Sequence, residues 1–446
     1  MPTASPSRGE FGPAIRRRLR WAALLLVLAL GLSASVVVLT WPRPDPDRLR
    51  ELVQADLEAG HFDRAAALLG RLDGLGPPTG EDWMLRARVA IARGRTDEAL
   101  AALARVPDDH PNATEARFRR GQLELRRGRT RAAEAAFLHA LRLYPQLVQA
   151  RRELVYIYGM QLRRAELGAQ FRALAELEPL SFDDAFVWSL TRGCTWDPAE
   201  TVETLGRFVR ADPDDRWSRL GLVEALRQLG RFGEAERVLS ALPASDPDAR
   251  AIRVRLALDR GDVAAAETLL AEGPADHPGL ALLRGRTALL HHDAPTAVRH
   301  LRAAFAGAPD DRDVQFYLGQ ALRLAGDAEA AEPLLQAARK QDDLAALVGR
   351  AGSERARADP KLPLRLGAAC EAARRLPEAI AWYELALSRD PLDREARSAL
   401  SRLKRPGPGS KKTGDAGSDD QSRTIRAPVV DRPIADAPEG HTRRGR

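Results

Sequence analysis

Small and large apolar residues follow turns in a fixed order along most of this chain. The segment GRTDEAL at 94–100 places a glycine before a polar helix start, and the small Ala99 and the large Leu103 follow five and nine residues after that glycine. Related segments begin at Gly60, Gly128, Gly230, Gly261 and Gly326. This recurrence predicts a series of helix–turn–helix units, each with the same turn and the same small and large positions.

The prolines give the period of these units. Six of them recur every 34 residues and two more follow at intervals of 31, at Pro77, Pro111, Pro145, Pro179, Pro213, Pro247, Pro278 and Pro309. A 34-residue period with this glycine, alanine and proline spacing resembles the tetratricopeptide repeat (TPR) family, whose unit is a helix–turn–helix. The resemblance covers residues 46–393, and its clearest copy is 114–147.

Ten units are counted from this period, at 46–79, 80–113, 114–147, 148–181, 182–215, 216–249, 250–280, 281–311, 312–345 and 360–393. The unit at 182–215 diverges because Trp196 occupies its turn-glycine position, although DPAE at 197–200 is still a clear helix start. Residues 346–359 form an insertion, which is either an extra helix or a kink, and 394–403 form a cap helix.

Each recurring residue type has an expected role. A glycine inside a helix costs roughly 1 kcal/mol relative to alanine, so we expect Gly121 and its equivalents to let two helix axes approach, with Ala133 as the opposing small residue. The turn glycine supplies a positive φ at the end of the first helix. The closing proline ends the second helix, and a large residue such as Phe137 fills the space against the next unit.

One segment has the length and composition of a membrane span. Residues 21–41 contain no charged residue and are bracketed by Trp21 and Trp41, and four arginines precede them between positions 16 and 20. A helix of this length spans roughly 30 Å, and positive charge stays on the cytoplasmic side. The prediction is an uncleaved anchor with its N-terminus in the cytoplasm. A signal peptide cleaved near LSAS at 32–35, or a buried helix, is the alternative.

Charge divides the chain into regions. The formal net charge of +7 comes from the two ends, because residues 21–401 hold 53 basic and 55 acidic residues. The predicted regions are a basic cytoplasmic N-terminus at 1–20, the transmembrane helix, a repeat region at 46–403 and a disordered basic tail at 404–446. The resulting fold class is all-α, a right-handed α-solenoid of about ten TPR-like units preceded by one transmembrane helix.

No pattern of catalytic or metal-binding residues stands out. The two cysteines, Cys194 and Cys370, are far apart in sequence, and no CxxC, phosphate loop, GxSxG or HExxH occurs. The adjacent His291 and His292 would point about 100° apart on a helix. The sequence therefore predicts a protein without cofactor or metal that is not an enzyme.

The family resemblance implies where a partner would bind. In TPR units, the residues at positions 2, 5, 9, 12 and 13 face a groove, and aromatic, arginine and glutamine side chains there suit an extended peptide. The matching positions of this chain are Arg88, Phe118, Gln122, Arg126, Arg152, Tyr156, Phe186, Trp217, Glu224, Arg227, Phe316, Gln320 and Arg323. The alternative is that these residues form ordinary solvated helix faces, with some of the aromatic side chains in the core.

These observations predict a membrane-anchored scaffold for protein–protein interactions on the outer side of the cytoplasmic membrane, with cell-envelope assembly as one role of that kind. The expected partner is a protein or peptide, with no nucleic acid and no small-molecule substrate. A secreted protein left after signal cleavage is one alternative. A helical-repeat nucleic-acid binder is another, but it needs a positive track that the nearly neutral residues 21–401 lack.

Overall fold

The computed structural model describes residues 45–191 and 197–405. Within these ranges the regular secondary structure is helical and no strand occurs, which confirms the all-α prediction. The predicted N-terminus at 1–20, the predicted membrane helix at 21–41 and nearly all of the predicted tail at 404–446 lie outside the described residues. Of the helices that the structure does describe, none is both long and apolar enough to cross a membrane.

The described ranges contain 22 helices, and these residues fall into two compact units that divide between Ala99 and Leu100. The helices are α1 (Pro46–Glu58), α2 (Phe62–Asp73), α3 (Gly80–Ala92), α4 (Thr96–Ala104), α5 (Ala113–Arg126), α6 (Thr130–Leu143), α7 (Val148–Met160), α8 (Arg164–Leu177), α9 (Phe182–Thr191), α10 (Pro198–Ala211), α11 (Arg216–Gln228), α12 (Phe232–Leu239), α13 (Pro247–Asp259), α14 (Val263–Ala271), α15 (Pro278–Leu290), α16 (Ala294–Gly307), α17 (Arg312–Leu324), α18 (Ala328–Ala351), α19 (Glu354–Arg357), α20 (Leu362–Ala372), α21 (Leu376–Arg389) and α22 (Arg394–Leu403).

The first compact unit has its own apolar core. Helices α1, α2 and α3 bury Leu49, Val53, Ala65, Leu69, Leu72, Leu85 and Val89 against one another. Arg50 donates from Nε to Asp82 Oδ1 at 2.9 Å and so joins α1 to α3. Asp82 also closes a capping box with Thr79 at the start of α3, so one carboxylate both begins a helix and holds its neighbour.

In the second compact unit, four hairpins close through a glycine and a large side chain, at Gly121, Gly285, Gly319 and Gly367. A Cβ atom built on Gly121 in α5 would lie 2.5 Å from Phe137 Cε1 in α6. Gly285 and Gly367 have the same relation to Leu301 and Tyr383. The nearest residue to each glycine is therefore the large residue of its own hairpin, and at Gly319 the expected alanine, Ala331, is also close, with its carbonyl oxygen 3.2 Å from such a Cβ atom.

The turns between paired helices have a positive φ, as predicted. Six of them use glycine, namely Gly60, Gly94, Gly128, Gly230, Gly261 and Gly326. Three other turns adopt the same conformation without glycine, at Leu162, His292 and Arg374, with φ of 57°, 57° and 60°. The left-handed region costs a residue with a side chain roughly 1–2 kcal/mol, so these turns are held by the packing of the helices on either side.

The prolines have two roles rather than one. Pro145 and Pro179 follow the ends of α6 and α8, as predicted for residues that stop a helix. Pro247 and Pro278 are instead the first residues of α13 and α15, so the prediction that they close a unit was wrong. A proline is tolerated at the first helical position because its missing N–H has no partner there in any case.

The predicted unit at 182–215 is not a helical hairpin, which corrects the sequence analysis. Helix α9 packs against α8, α18 and α21, whereas α10 packs against α11. The Phe182 ring lies 5.2 Å from that of Trp382, and Trp382 Nε1 donates to Ser189 Oγ at 2.9 Å. These contacts bind α9 to the C-terminal helices. The start of α10 is confirmed, because Asp197 caps it by accepting hydrogen bonds from two backbone amides.

A buried polar cluster holds α11 against the hairpins that precede α9. Asp215 accepts hydrogen bonds from Thr130 and, at 2.6 Å, from Ser218 Oγ. Gln161 Nε2 donates to Ser218 Oγ at 3.1 Å. All four side chains are buried. The third, fourth and sixth predicted units therefore meet around Asp215, the last residue of the fifth.

The insertion at 346–359 lengthens an existing helix. Helix α18 runs for 24 residues and includes Pro333, and the single-turn α19 follows it. The segment is thus mostly a continuation of the second helix of the ninth predicted unit. The predicted cap helix is present as α22, whose bounds coincide with the expected ones.

Candidate functional site

The separation of α9 from α10 opens a cavity on one side of the second compact unit. The cavity has a volume of about 370 Å³ and lies between α7, α9 and α10, with Leu174 of α8 at its base. Two predicted groove residues, Arg152 and Tyr156, are brought together on its α7 wall. The other lining side chains are mostly apolar, and they include Val155, Met160, Val187 and Thr201.

Ion pairs fix the polar edge of this cavity. Arg152 Nη1 lies 2.6 Å from Asp184 Oδ1 on α9, and Arg152 Nη2 lies 2.7 Å from Glu178 Oε1. Burial lowers the pKa of Arg152, but the hydrogen bonds to Asp184 and Glu178 outweigh burial and hold that pKa above its ordinary value. Burial likewise raises the pKa of Asp184, and hydrogen bonds from Arg152 and Ser181 bring it below its ordinary value. Arg152 and Asp184 are therefore both ionised around neutral pH at this edge of the cavity.

Tyr156 and Glu153 extend the α7 wall toward α5. Tyr156 is 40% exposed, and burial of its hydroxyl raises its pKa. Burial also raises the pKa of Glu153, whose Oε1 accepts from Gln122 Nε2 at 3.2 Å. Gln122 is half-buried and Arg126 is exposed on the same helix. These four side chains form a polar strip beside the apolar cavity.

Two predicted groove residues lie in the core instead. Phe118 is 5% exposed, and its ring lies 5.8 Å from that of Phe137. Phe186 is also 5% exposed and belongs to an apolar cluster with Trp382. Neither side chain is available to line an open surface, because each fills space between helices. Phe118 and Phe186 are therefore core aromatic residues, which was the alternative prediction for the aromatic side chains.

The remaining predicted residues are distributed over other helices and do not meet at the cavity. Trp217 lies between two guanidinium groups, 5.1 Å from that of Arg163 and 4.4 Å from that of Arg216. Glu224 and Arg227 pair with each other at 2.8 Å. Phe316, Gln320 and Arg323 share α17, and Arg88 lies in the first compact unit, where Nη1 donates to Gln54 Oε1 at 3.2 Å. Binding at these positions stays a prediction.

The sequence analysis missed nine of the eleven residues that line the cavity, among them Asp184, Val187 and Glu200. Asp184 could have been found, because it forms a reciprocal cap with Ser181 at the start of α9. Asp184 N donates to Ser181 Oγ at 3.1 Å, and Ser181 N donates to Asp184 Oδ2 at 3.0 Å. A serine followed three residues later by an acid is a known sign of a helix start. No sequence signal places Val187 and Glu200 on one cavity.

The chemistry available at the cavity is that of a binding site. Apolar walls with a few fixed polar groups are typical of pockets that accept an apolar group and orient it. In the ranges 45–191 and 197–405, no cluster of three or more His, Cys, Asp or Glu side chains is placed to hold a metal ion. The cavity can therefore take an apolar side chain of a partner, with Tyr156 and Glu200 near its mouth.

Comparison with known proteins agrees with the helix pattern. Tetratricopeptide repeat family models match residues 84–148, 197–254 and 282–346. The chain contains tetratricopeptide repeats. The match at 197–254 begins with the cap of α10 and leaves out α9, in agreement with the pairing of α10 with α11.

Several solved structures match this chain. The APC/C hetero-tetramer Cut9–Hcn1 is 14% identical, with 86% of this chain and 95% of that chain covered and a TM-score of 0.36. A tetratricopeptide repeat protein from Parabacteroides merdae is 15% identical, with 55% and 98% covered and a TM-score of 0.30. The human IFIT1 dimer with PPP-AAAA is 17% identical, with 82% and 88% covered and a TM-score of 0.31. Among curated proteins, none matches this chain.

Proposed function

We propose that this protein is a non-enzymatic scaffold that binds a segment of another protein at the cavity between α7, α9 and α10. The observation that carries the proposal is the cavity itself, because its mostly apolar walls lie beside the polar strip of α5 and α7. An apolar side chain of the partner enters the cavity, and Gln122, Tyr156 and Glu200 contact the partner's backbone near its mouth. Tetratricopeptide repeats elsewhere in the chain provide the rigid support that such a site needs.

The same proposal places the scaffold at a membrane. The 21 uncharged residues of 21–41, with arginines before them, support a single anchor whose N-terminus is in the cytoplasm. The repeats then lie on the outer side of the cytoplasmic membrane and organise proteins there, as in the assembly of a cell envelope. An intact-mass measurement on protein extracted from membranes tests the anchor, since cleavage near residue 35 would leave a secreted protein.

A variant that fills the cavity tests the binding site. Gly159 lines the cavity, and a Cβ atom on Gly159 would meet no atom within 4 Å. Leucine at this position therefore reaches into the cavity without a clash at its Cβ. Gly70 on α2 is equally unobstructed and does not line the cavity, so Gly70→Leu is the matched control.

The measurement is mild crosslinking in native membranes followed by purification of the full chain. We expect Gly159→Leu to lose a crosslinked protein that the unchanged chain and Gly70→Leu both retain. If all three retain the same partners, the cavity is not the binding site. Binding of nucleic acid that survives high salt and maps to the repeats would instead favour the nucleic-acid alternative.

A further inference from the structure

Helix α9 has three faces with three different neighbours. Trp188 stacks on Phe171 of α8, with ring centroids 5.3 Å apart. Asp184, Val187 and Thr191 line the cavity. Phe182, Phe186 and Ser189 face the C-terminal helices. Several neighbours of α9 lie far from it in sequence, and they fix its position. The cavity wall that α9 forms therefore depends on residues that do not line the cavity.

The insertion at 346–359 provides part of the surface on which α9 rests. Phe186 shares an apolar cluster with Val348 and Ala351, which lie in the insertion, and with Leu344, which precedes it on α18. A Cβ atom on Gly352 would lie 3.5 Å from Phe186 Cζ, so the phenyl ring packs closely over the end of that helix. The extension of α18 therefore covers part of this side of α9.

Polar contacts fix the orientation of α9 on that surface. Arg357 of α19 pairs with Asp183 at 2.8 Å, and its guanidinium lies 5.2 Å from the Phe182 ring centroid and 5.3 Å from that of Phe186. On the other side, Ser189 accepts the hydrogen bond from Trp382 Nε1, and both side chains are buried. Packing alone would allow α9 to rotate, whereas these contacts select one rotation.

We infer that the insertion at 346–359 and Trp382 together hold α9 as a wall of the cavity, so that the C-terminal repeats set the shape of the binding site. Ser189, Arg357 and Trp382 are positioning residues, because they act on the cavity only through α9. The relevance of this arrangement to binding rests on the proposed function. The positioning itself does not.

Hydrogen exchange in the full-length protein tests the inference without a ligand. Ser189→Ala leaves the buried Trp382 Nε1 without its acceptor, which should accelerate exchange of the α9 amides about tenfold. Ser189→Thr keeps the hydroxyl and should restore slow exchange. Ser388→Ala removes an exposed hydroxyl from α21, the helix that carries Trp382, and is the control. Amides of α15 and α16 should not change.

The outcomes separate this inference from the proposed function. Unchanged exchange in α9 on Ser189→Ala, or an equal acceleration throughout the second compact unit, would overturn the inference whatever Gly159→Leu does. Faster exchange confined to α9 and the adjoining cavity walls would support it, even if Gly159→Leu retained every partner. Failure of Ser189→Thr to restore slow exchange would also count against the role of the hydroxyl.

Discussion

The third and fifth predicted units place equivalent residues in different surroundings. In the third unit, Gly121 lies under Phe137 of the same hairpin. Two periods later the equivalent positions hold Ser189 and Leu205. Ser189 contacts Trp382 of the last unit, and a Cβ atom on Gly221 of the next unit would lie 3.0 Å from Leu205. Where this position is Gly121, the large side chain of the same hairpin packs on it. Where it is Ser189, the hydroxyl instead accepts a hydrogen bond from the indole of Trp382.

The glycine alone does not decide the pairing, because α7 with α8 and α11 with α12 form hairpins although Val155 and Val223 occupy the equivalent position. In the fifth unit, Leu205 lies against Gly221 of the next unit. Helix α10 forms its close contact with α11, and α9 packs on α8, α18 and α21. Each helix still buries an apolar face, so the repeat region remains folded while a cavity opens at the change of partner.

The largest predicted effect is a loss of stability in the hairpin of α5 and α6. Gly121→Ala would place a Cβ atom 2.5 Å from the Phe137 ring, which is fully buried. Overpacking of this kind costs about 1–3 kcal/mol. Amide exchange in α5 and α6 should accelerate accordingly.

A second glycine on the cavity wall provides the control for Gly121→Ala. A Cβ atom on Gly159 meets no atom within 4 Å, so Gly159→Ala should stabilise its helix by up to about 1 kcal/mol. Equal effects of the two substitutions on local exchange would show that helix propensity, and not the contact with Phe137, decides the cost.

The regular units were predictable from sequence, and the split unit was not. The period located the turns with positive φ and the cap at Asp197, because these depend on residues within a few positions of one another. The contact between Ser189 and Trp382 joins residues 193 apart, and no local pattern specifies it. Pro247 was misassigned because a proline fits both after a helix and at its first residue.

The candidate site was predictable in part for the same reason. Family spacing placed Arg152 and Tyr156 on one face of α7, where the cavity is found. The opposite walls depend on where α9 and α10 pack, which is set by long-range contacts. Family spacing also assigned Phe118 and Phe186 to a groove, although burial between helices is the more favourable environment for a phenyl ring.

The second prediction concerns acid stability at the cavity edge. Because the pKa of Asp184 is lowered in the folded protein, its contribution is fully present above the unfolded pKa of about 4 and is lost as pH falls through the folded value. Asp184→Asn should cost about 1–2 kcal/mol at pH 7, in the range of hydrogen bonds to charged groups. Urea unfolding from pH 7 to pH 3 should show this difference shrinking below about pH 4.

Glu153→Gln is the control for Asp184→Asn, because the pKa of Glu153 is shifted in the opposite direction. Its pKa is raised by burial, so its ionised form is disfavoured in the folded protein at neutral pH. Glu153→Gln keeps an acceptor for Gln122 and should leave stability at pH 7 unchanged or raise it. If Asp184→Asn and Glu153→Gln shift stability in the same direction at pH 7, the ion pair with Arg152 does not stabilise the cavity edge.

The smallest predicted effect concerns the turn of the last hairpin, which lacks the glycine that most other turns use. Arg374 has a φ of 60° and is exposed, so its side chain contributes little packing while its backbone is strained. Arg374→Gly should therefore stabilise the hairpin of α20 and α21 by about 1 kcal/mol. Gly326→Ala, at a turn with φ of 86°, should destabilise its hairpin by a similar amount. Amide exchange in α20 and α21 measures the first effect and exchange in α17 and α18 the second. A loss of protection on Arg374→Gly would mean that the arginine side chain, rather than the packing of the two helices, holds that turn.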